Sequence, residues 1–307
     1  GIELRAARGR AGAVEEIRAG WLTAAVLVPA GLTARLAGAP EGGVEIAILA
    51  DRSNPIAAGM VEGALSGAAV RLLLERAAGP GAAPAGPPLA ISVEDVLGGP
   101  RKRPSVAFFA AGIGVMFLLF ATTGRGVLLI EERESGVLTR MLTTGLGLGR
   151  LLAGRWLYLA SLGFAQVTAM FVWGALVFGL DLWTPRHLAG FVVMTATTAA
   201  AAAALAVLLA VVCRTRAQLN GVSVVLVLVM SALGGSLFPR FLMPETLRTL
   251  GLATFNAWAL DGYRKVFWYE SPLGDLAPQL AVLTALTGVF LAASRVLAGR
   301  WTRGAGA

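Results

Sequence analysis

The sequence predicts an α-helical polytopic membrane protein: five transmembrane helices, an interfacial helix, and a small α/β domain at the amino-terminal end. Three observations carry this. Of 307 residues, 56% are hydrophobic and 14% charged, where a soluble domain carries about 25% charged, and the mean hydropathy is +0.73. Five windows, 104–124, 156–180, 188–213, 217–239 and 276–294, contain no charged residue. Each is close to the roughly 20 residues a helix needs to cross the hydrocarbon, and a charge at mid-bilayer costs about 2.5–3.5 kcal/mol on insertion scales. Residues 1–103 instead mix charges with short apolar runs and a Pro/Gly-rich tract, AAGPGAAPAGPP, at 77–88.

Taken in order, AVEEIRAG reads as a short helix ending at Gly20, and TAAVLVP (23–29) and VEIAILAD (44–51) as strands closed by Pro and Asp. Asn54 as N-cap and Pro55 at the first helical position open a helix that runs through MVEGALSGAAVRLLLERA. LAISVEDV (89–96) adds a strand, which completes a domain over 1–103. The membrane domain, 104–307, has spans at about 104–126, 153–180, 186–213, 217–238 and 276–298. Thr184 and Pro185 give the third span an N-cap and an N1 proline. Trp173, Trp183, Trp258, Trp268 and Tyr269 fall near span ends or between spans, where amphipathic rings anchor at the headgroups.

Chemistry is scarce. The pI near 10.9 does not point to nucleic acid, because the arginines are scattered through loops rather than gathered on one face. Cys213 is the lone cysteine, so an internal disulfide and any multi-cysteine metal site are excluded. His187 is the lone histidine, read as an interfacial residue beside Trp183 and Arg186. No H-E-x-x-H or G-x-S-x-G motif is present, and Asp181 and Asp261 fall between spans. GLGLGR (145–150) lacks the Lys and following Ser/Thr of a phosphate-binding loop, so the chain carries no nucleotide site. Thr122, Thr123, Thr195, Thr197, Thr198 and Ser223 lie within spans and read as helix–helix hydrogen bonding, about 0.6 kcal/mol per contact. Gln166 and Asn220 are candidates for a translocation path, and the small-residue tract TATTAAAAAALA (195–206) reads as a packing face.

One stretch asks for more. LIEERESGVLTRMLTTGLGLGRLLAGRW, 129–156, sets Glu131, Glu132, Arg133 and Glu134 between two apolar runs. A surface helix is predicted over about 128–144, with Val137, Leu138, Met141 and Leu142 as one apolar stripe and the glutamates upstream in water. Gly136 weakens that helix by about 1 kcal/mol relative to Ala and invites a bend. A charged stop after a span is the simpler alternative.

EERESGVLTRMLTTG resembles the cytoplasmic signature of ABC-2 type transporter permeases, roughly Glu-x-Glu-x-Gly-Thr-Leu-Glu-x-Leu-Leu-x-Thr-Pro. Glu132, Glu134, Gly136, Leu138, Met141, Leu142 and Thr144 fall on it or on conservative variants, with Val137, Thr139 and Gly145 as departures. SALGGSLFPRFLMPETLRTLGLATFNAWALDGYRKV (231–266) is similar to the family's segment before its last span: Phe238-Pro239, Pro244, a short amphipathic helix, Asn256 and Arg264 match, and Ala257 replaces a Pro. IRAGWLTAAVLVPAGLTARLAGA and ADRSNPIAA resemble the extracytoplasmic domain of members with a long external loop.

The resemblance implies the membrane subunit of an ATP-driven exporter in a bacterial cytoplasmic membrane, without enzymatic activity of its own. ATP and Mg²⁺ would be held by a separate nucleotide-binding subunit, which grips Glu131, Glu132, Glu134, Gly136, Val137, Leu138, Met141 and Leu142. A second copy or a sister permease and membrane lipid are the other implied partners. Family members have six spans, so the chain, which starts at Gly1 inside the external domain, is expected to lack the first. That places 1–103 outside and the carboxyl terminus in the cytoplasm. Charge agrees by a small margin: the loops placed inside carry ten basic residues and the opposite loops eight. A non-transporting receptor or scaffold with an external sensing domain is the alternative.

Overall fold

The computed structural model describes residues 9–18, 22, 24–28, 44–50, 59, 61–64, 66–68, 71, 89–95, 104–145, 147–238, 240, 243–267, 269 and 271–303. The chain divides into two units, Gly1–Ser105 and Val106–Ala307.

In the first unit, helix α1 (Gly9–Arg18) accompanies a three-stranded sheet of β1 (Ala24–Leu27), β2 (Val44–Ala50) and β3 (Leu89–Asp95), in the order β1-β2-β3. β2 runs antiparallel to β1, from Ala24↔Ala50 to Leu27↔Ala47, and parallel to β3, from Val44↔Leu89 to Ala50↔Asp95. The period-two alternation of a strand divides β2 between two small cores. Leu49 packs with Ala13 and Ile17 of α1, while Ile48 and Ala50 pack with Ala24, Val61 and Val93. A parallel pair needs a crossover, and helical residues 61–64 and 66–68 lie on the connection from β2 to β3. Asn54 and Pro55, the predicted start of that helix, lie outside the described residues. Arg10 Nη2 donates to both carboxylate oxygens of Glu94, at 2.6 and 2.8 Å, and so ties α1 to β3.

The second unit is helical: α2 (Pro104–Arg125), α3 (Val127–Glu134), α4 (Val137–Thr143), α5 (Leu148–Phe178), α6 (Pro185–Val212), α7 (Arg216–Gly234), α8 (Glu245–Gly251), α9 (Phe255–Phe267) and, after a 3-10 turn at Leu273–Leu276, α10 (Ala277–Arg303). Five stretches among the described residues are long and apolar enough to cross a membrane: Ala110–Glu134, Leu148–Phe178, Pro185–Val212, Arg216–Gly234 and Leu273–Gly299.

Two of these differ from the sequence expectation at their ends. α2 passes into α3 with Gly126 still helical at φ −57° and ψ −22°, so the first span carries its helix on to Glu134. α5 begins at Leu148, not near 153, because Leu151 and Leu152 are buried and draw the first turns into the bundle. At 31 residues α5 is about 46 Å long, which exceeds the roughly 30 Å hydrocarbon thickness. Its first turns therefore reach headgroup depth, where Arg150 and Arg155 are tolerated.

The small-residue tract of α6 packs as expected. Ala199, Ala201, Ala202, Ala203, Ala204 and Ala206 are all buried, and α5 and α10 are the main neighbours of α6. Single methyls let backbones approach closely.

The segment before the last span holds more helix than expected. α9 packs against α6, α7 and α10 and buries Phe255, Asn256, Leu260, Tyr263, Val266 and Phe267. Phe171 of α5 stacks on Tyr263 and on Phe267, with ring centroids 5.3 and 5.2 Å apart. His187, in the first turn of α6, is 6% exposed. Its Nδ1 lies 2.8 Å from the Asp181 carbonyl oxygen, and its ring packs 5.7 Å from that of Phe267.

Candidate functional site

The charged stretch marks the end of the bundle where α3 meets α4, α5 begins, and α6 turns into α7. A variant capping box builds that last turn. Thr215 is the N-cap of α7 and its hydroxyl accepts from Gln218 N at 3.2 Å, while Gln218 Oε1 accepts from Arg214 N at 2.8 Å. This fixes Arg216 at the first helical position, where a cation opposes the helix dipole. Two carboxylates from α3 offset it. Arg216 Nη1 lies 2.8 Å from Glu131 Oε1, and its Nε and Nη2 donate to Glu134 Oε2 at 3.3 and 3.2 Å. Arg133 reaches across to the same turn and donates to the Arg214 carbonyl at 2.7 Å, just past the carboxyl end of α6, where a cation is favoured.

Glu132 faces the other way and pairs with Arg155 of α5. This pair is the less exposed one, with side chains 21% and 26% accessible, against 51% for Arg216. Oε2 of Glu132 is buried and accepts no hydrogen bond among the described residues. The four consecutive charges thus join three elements: α3, α5 and the α6–α7 turn.

The predicted interfacial helix is broken in two. Gly136 takes φ +73°, a left-handed conformation, and caps α4 after the end of α3. The bend invited by a glycine is a full corner, and the half of the predicted helix that bears the glutamates is the end of the first span. The apolar stripe divides accordingly. Leu138 is buried in the chain's own core and Leu142 packs partly against it, Val137 is half-buried, and Met141 is exposed at 38%. Thr139, Arg140, Thr143 and Thr144 complete the exposed side of the corner.

Gln166 is half-buried on α5 and Asn220 is exposed on α7; the structure does not bring the two together in a hydrogen bond. The hydroxyls within spans mostly bond to their own helix: Thr122 to the Leu118 carbonyl at 2.8 Å, Thr123 to Leu119 at 2.7 Å, and Thr197 to Val193 at 2.9 Å. Thr195 instead lies 3.1 Å from the Tyr263 hydroxyl, and Ser223 Oγ is buried with no hydrogen-bond partner among the described residues. Burial pushes the Tyr263 phenol up to about 12, against the pull of its hydrogen bond to Thr195.

A second polar cluster, at the far end of α7, gathers Asn256, named in the sequence, with Ser231 and Ser236, which were not singled out. Asn256 Nδ2 donates to Ser236 Oγ at 2.8 Å and to Ser231 Oγ at 3.2 Å, in full burial. A Cβ on Gly234 would lie 2.4 Å from that of Asn256, so only glycine admits α9 this closely. On α9 and α10, Gln279 Nε2 donates to Asp261 Oδ2 at 2.5 Å, and Lys265 Nζ to Gln279 Oε1 at 3.3 Å. Desolvation lowers the Arg240 guanidinium from its ordinary value, and nearby Asp261 opposes the shift. Among the described residues no group of three or more His, Cys, Asp or Glu could hold a metal ion.

The profile of a family described as "ABC-2 family transporter protein" matches residues 8–296. The chain belongs to this ABC-2 transporter family. A relative, the Linearmycin resistance permease protein LnrN of Bacillus subtilis (strain 168), is 21% identical over 184 residues. That alignment covers 60% of this chain and 47% of the relative, so the ABC-2 chain spans about half the length of the curated relative it matches. No solved structure matches. This ABC-2 family member is a multi-pass membrane protein with a small α/β region at its amino-terminal end.

Proposed function

We propose that this chain is the permease subunit of an ABC-2 type exporter, which moves its substrate across the cytoplasmic membrane on ATP hydrolysed by a separate nucleotide-binding subunit. The match to the family over residues 8–296 carries the reading. Residues 1–103 form the extracytoplasmic domain and 104–307 the transmembrane domain, with the α3–α4 corner and the carboxyl terminus in the cytoplasm; the excess of basic residues at that end supports this orientation. A second permease, a copy or a sister, completes the path. The face of α7 that bears Asn220 supports this, because Val224 and Leu228, one and two turns on, are 46% and 42% exposed among the described residues. Gln166 and Asn220 are the polar groups assigned to the path.

The α3–α4 corner is the coupling element. Met141 and its exposed neighbours on α4 dock in a groove of the ATPase. Leu138 and the ion pairs of Glu131, Glu132 and Glu134 carry the displacement to α5 and to the start of α7. Closure of two ATPase subunits on nucleotide then biases a rigid-body switch in the spans.

Co-purification with a candidate nucleotide-binding subunit, and ATP-dependent transport after joint reconstitution, test the proposal. Met141→Glu is expected to abolish association and leave the fold intact. Arg216→Gln is expected to keep association and lower transport. An assembly indifferent to Met141→Glu, or transport without ATP, would sink it, and binding of external ligand with no transport would favour the receptor reading.

A further inference from the structure

α5 and α6 meet along the alanine tract, where single methyls set little register between them. Ser161 and Thr197, hydroxyls on the two helices, each bond to a carbonyl of their own helix, Leu157 and Val193, at 2.8 and 2.9 Å. Trp156 crosses over. Its indole Nε1 donates to the Ala200 carbonyl of α6 at 2.9 Å. A mid-helix carbonyl serves the amide four residues on and has a second lone pair to offer. A Cβ on Gly163, two turns further along α5, would lie 3.4 Å from that of Ala199, so the backbone of α5 comes close to α6 beside the same residue pair.

Trp156 differs from the tryptophans that act as anchors. Trp173 and Trp183 are 63% and 61% exposed, as rings at headgroup depth are when their N–H reaches water. Trp156 is half-buried against the chain's core. It lies eight residues past Leu148, about 12 Å along α5, at the edge of the hydrocarbon, where the indole N–H depends on a protein partner. Arg155, the residue before it, is turned by about 100° around the helix and pairs with Glu132 of α3. Consecutive residues thus tie α5 to α3 and to α6. A bond to one carbonyl holds one register, because a slide of α5 by about 3 Å, two residues of rise, takes the indole out of hydrogen-bond range. We infer that Trp156 is a positioning residue that latches α5 in its resting register on α6, and that the proposed switch in the spans includes release of this latch. The switch rests on the exporter reading; the latch does not.

Double electron–electron resonance on the full chain in lipid nanodiscs tests this, with nitroxides on Leu176→Cys and Val212→Cys in a Cys213→Ser background. Both label sites are exposed and sit at the carboxyl ends of α5 and α6, so their separation follows any slide of one helix along the other. The chain with Trp156 intact is expected to give one narrow distance distribution. Trp156→Phe, with Trp156→Leu in its place should the first not fold, is expected to add a second population displaced by about 3 Å before any nucleotide is present. Trp183→Phe, at an exposed anchor, adds none. A candidate nucleotide-binding subunit with ATP and vanadate is then expected to move the intact chain to that displaced population. An unchanged distribution in the Trp156 variants would overturn the inference, as would the same second population in Trp183→Phe. So would a nucleotide-driven shift of the intact chain to any other distance, since the latch would then lie outside the switch. If nucleotide moves nothing while Trp156→Phe is displaced, the exporter reading fails and the latch stands.

Discussion

At the scale of single residues, Gly136 sets the shape of the α3–α4 corner. Its φ of +73° is strained for any L side chain, yet nothing lies within 4 Å of where a Cβ would stand, so a substitution there is felt through the backbone alone. Gly136→Ala is expected to cost about 1–2 kcal/mol, lowering the detergent-solubilised melting temperature by a few degrees, while Gly136→Asn costs less because Asn tolerates this region. The Glu132–Arg155 pair supplies a different kind of test. Glu132→Ala strands a three-quarters-buried guanidinium and should destabilise more than Glu131→Ala, and Glu132→Ala with Arg155→Ala should recover part of the loss. How these groups pair could not be read from the chain. A run of four charges announces a solvated or gripped segment, but the partners of Glu131 and Glu134 come from Arg216, more than eighty residues on. Met141 and Leu138 look alike as members of one stripe; only the left-handed corner at Gly136 turns one outward and the other into the core.

At the scale of elements, the α6–α7 turn owes its form to three residues. Thr215→Ala removes the cap of α7 and is expected to cost about 1 kcal/mol, with faster hydrogen exchange at the amides of Gln218 and Leu219, both of which bond to Thr215. α9 is the element that sequence reasoning undercounted. Its family motif placed Asn256 near a short amphipathic helix, and that much was legible. The helix itself depends on contacts of long range: Asn256 onto Ser231 and Ser236, Tyr263 onto Thr195, and the ring of Phe171 against two aromatics. Asn256→Ala leaves two buried hydroxyls without a donor and is expected to cost about 1–3 kcal/mol, read as a lower melting temperature with Thr254→Ser as a mild reference.

At the scale of the whole molecule, the spans were legible because the bilayer forbids charge at its centre, and five windows obeyed that rule. Their ends were less so. Headgroup depth tolerates Arg125 and Arg155, so the exclusion of charge marks where the hydrocarbon ends and not where the helix does. The alanine tract of α6 was legible as a packing face, and its burial against α5 and α10 makes it sensitive to volume. Ala203, fully buried, has no room for added methylenes: Ala203→Leu is expected to cost at least about 1–3 kcal/mol, measured as lost yield of folded protein and a lowered melting temperature. That same tract has a mechanical corollary. Helices resist sliding when ridges of large side chains interlock with grooves, and a surface of single methyls offers ridges of very little height. α6 is therefore a rail with almost no teeth, along which α5 and α10 can shift by a fraction of a turn without first having to climb.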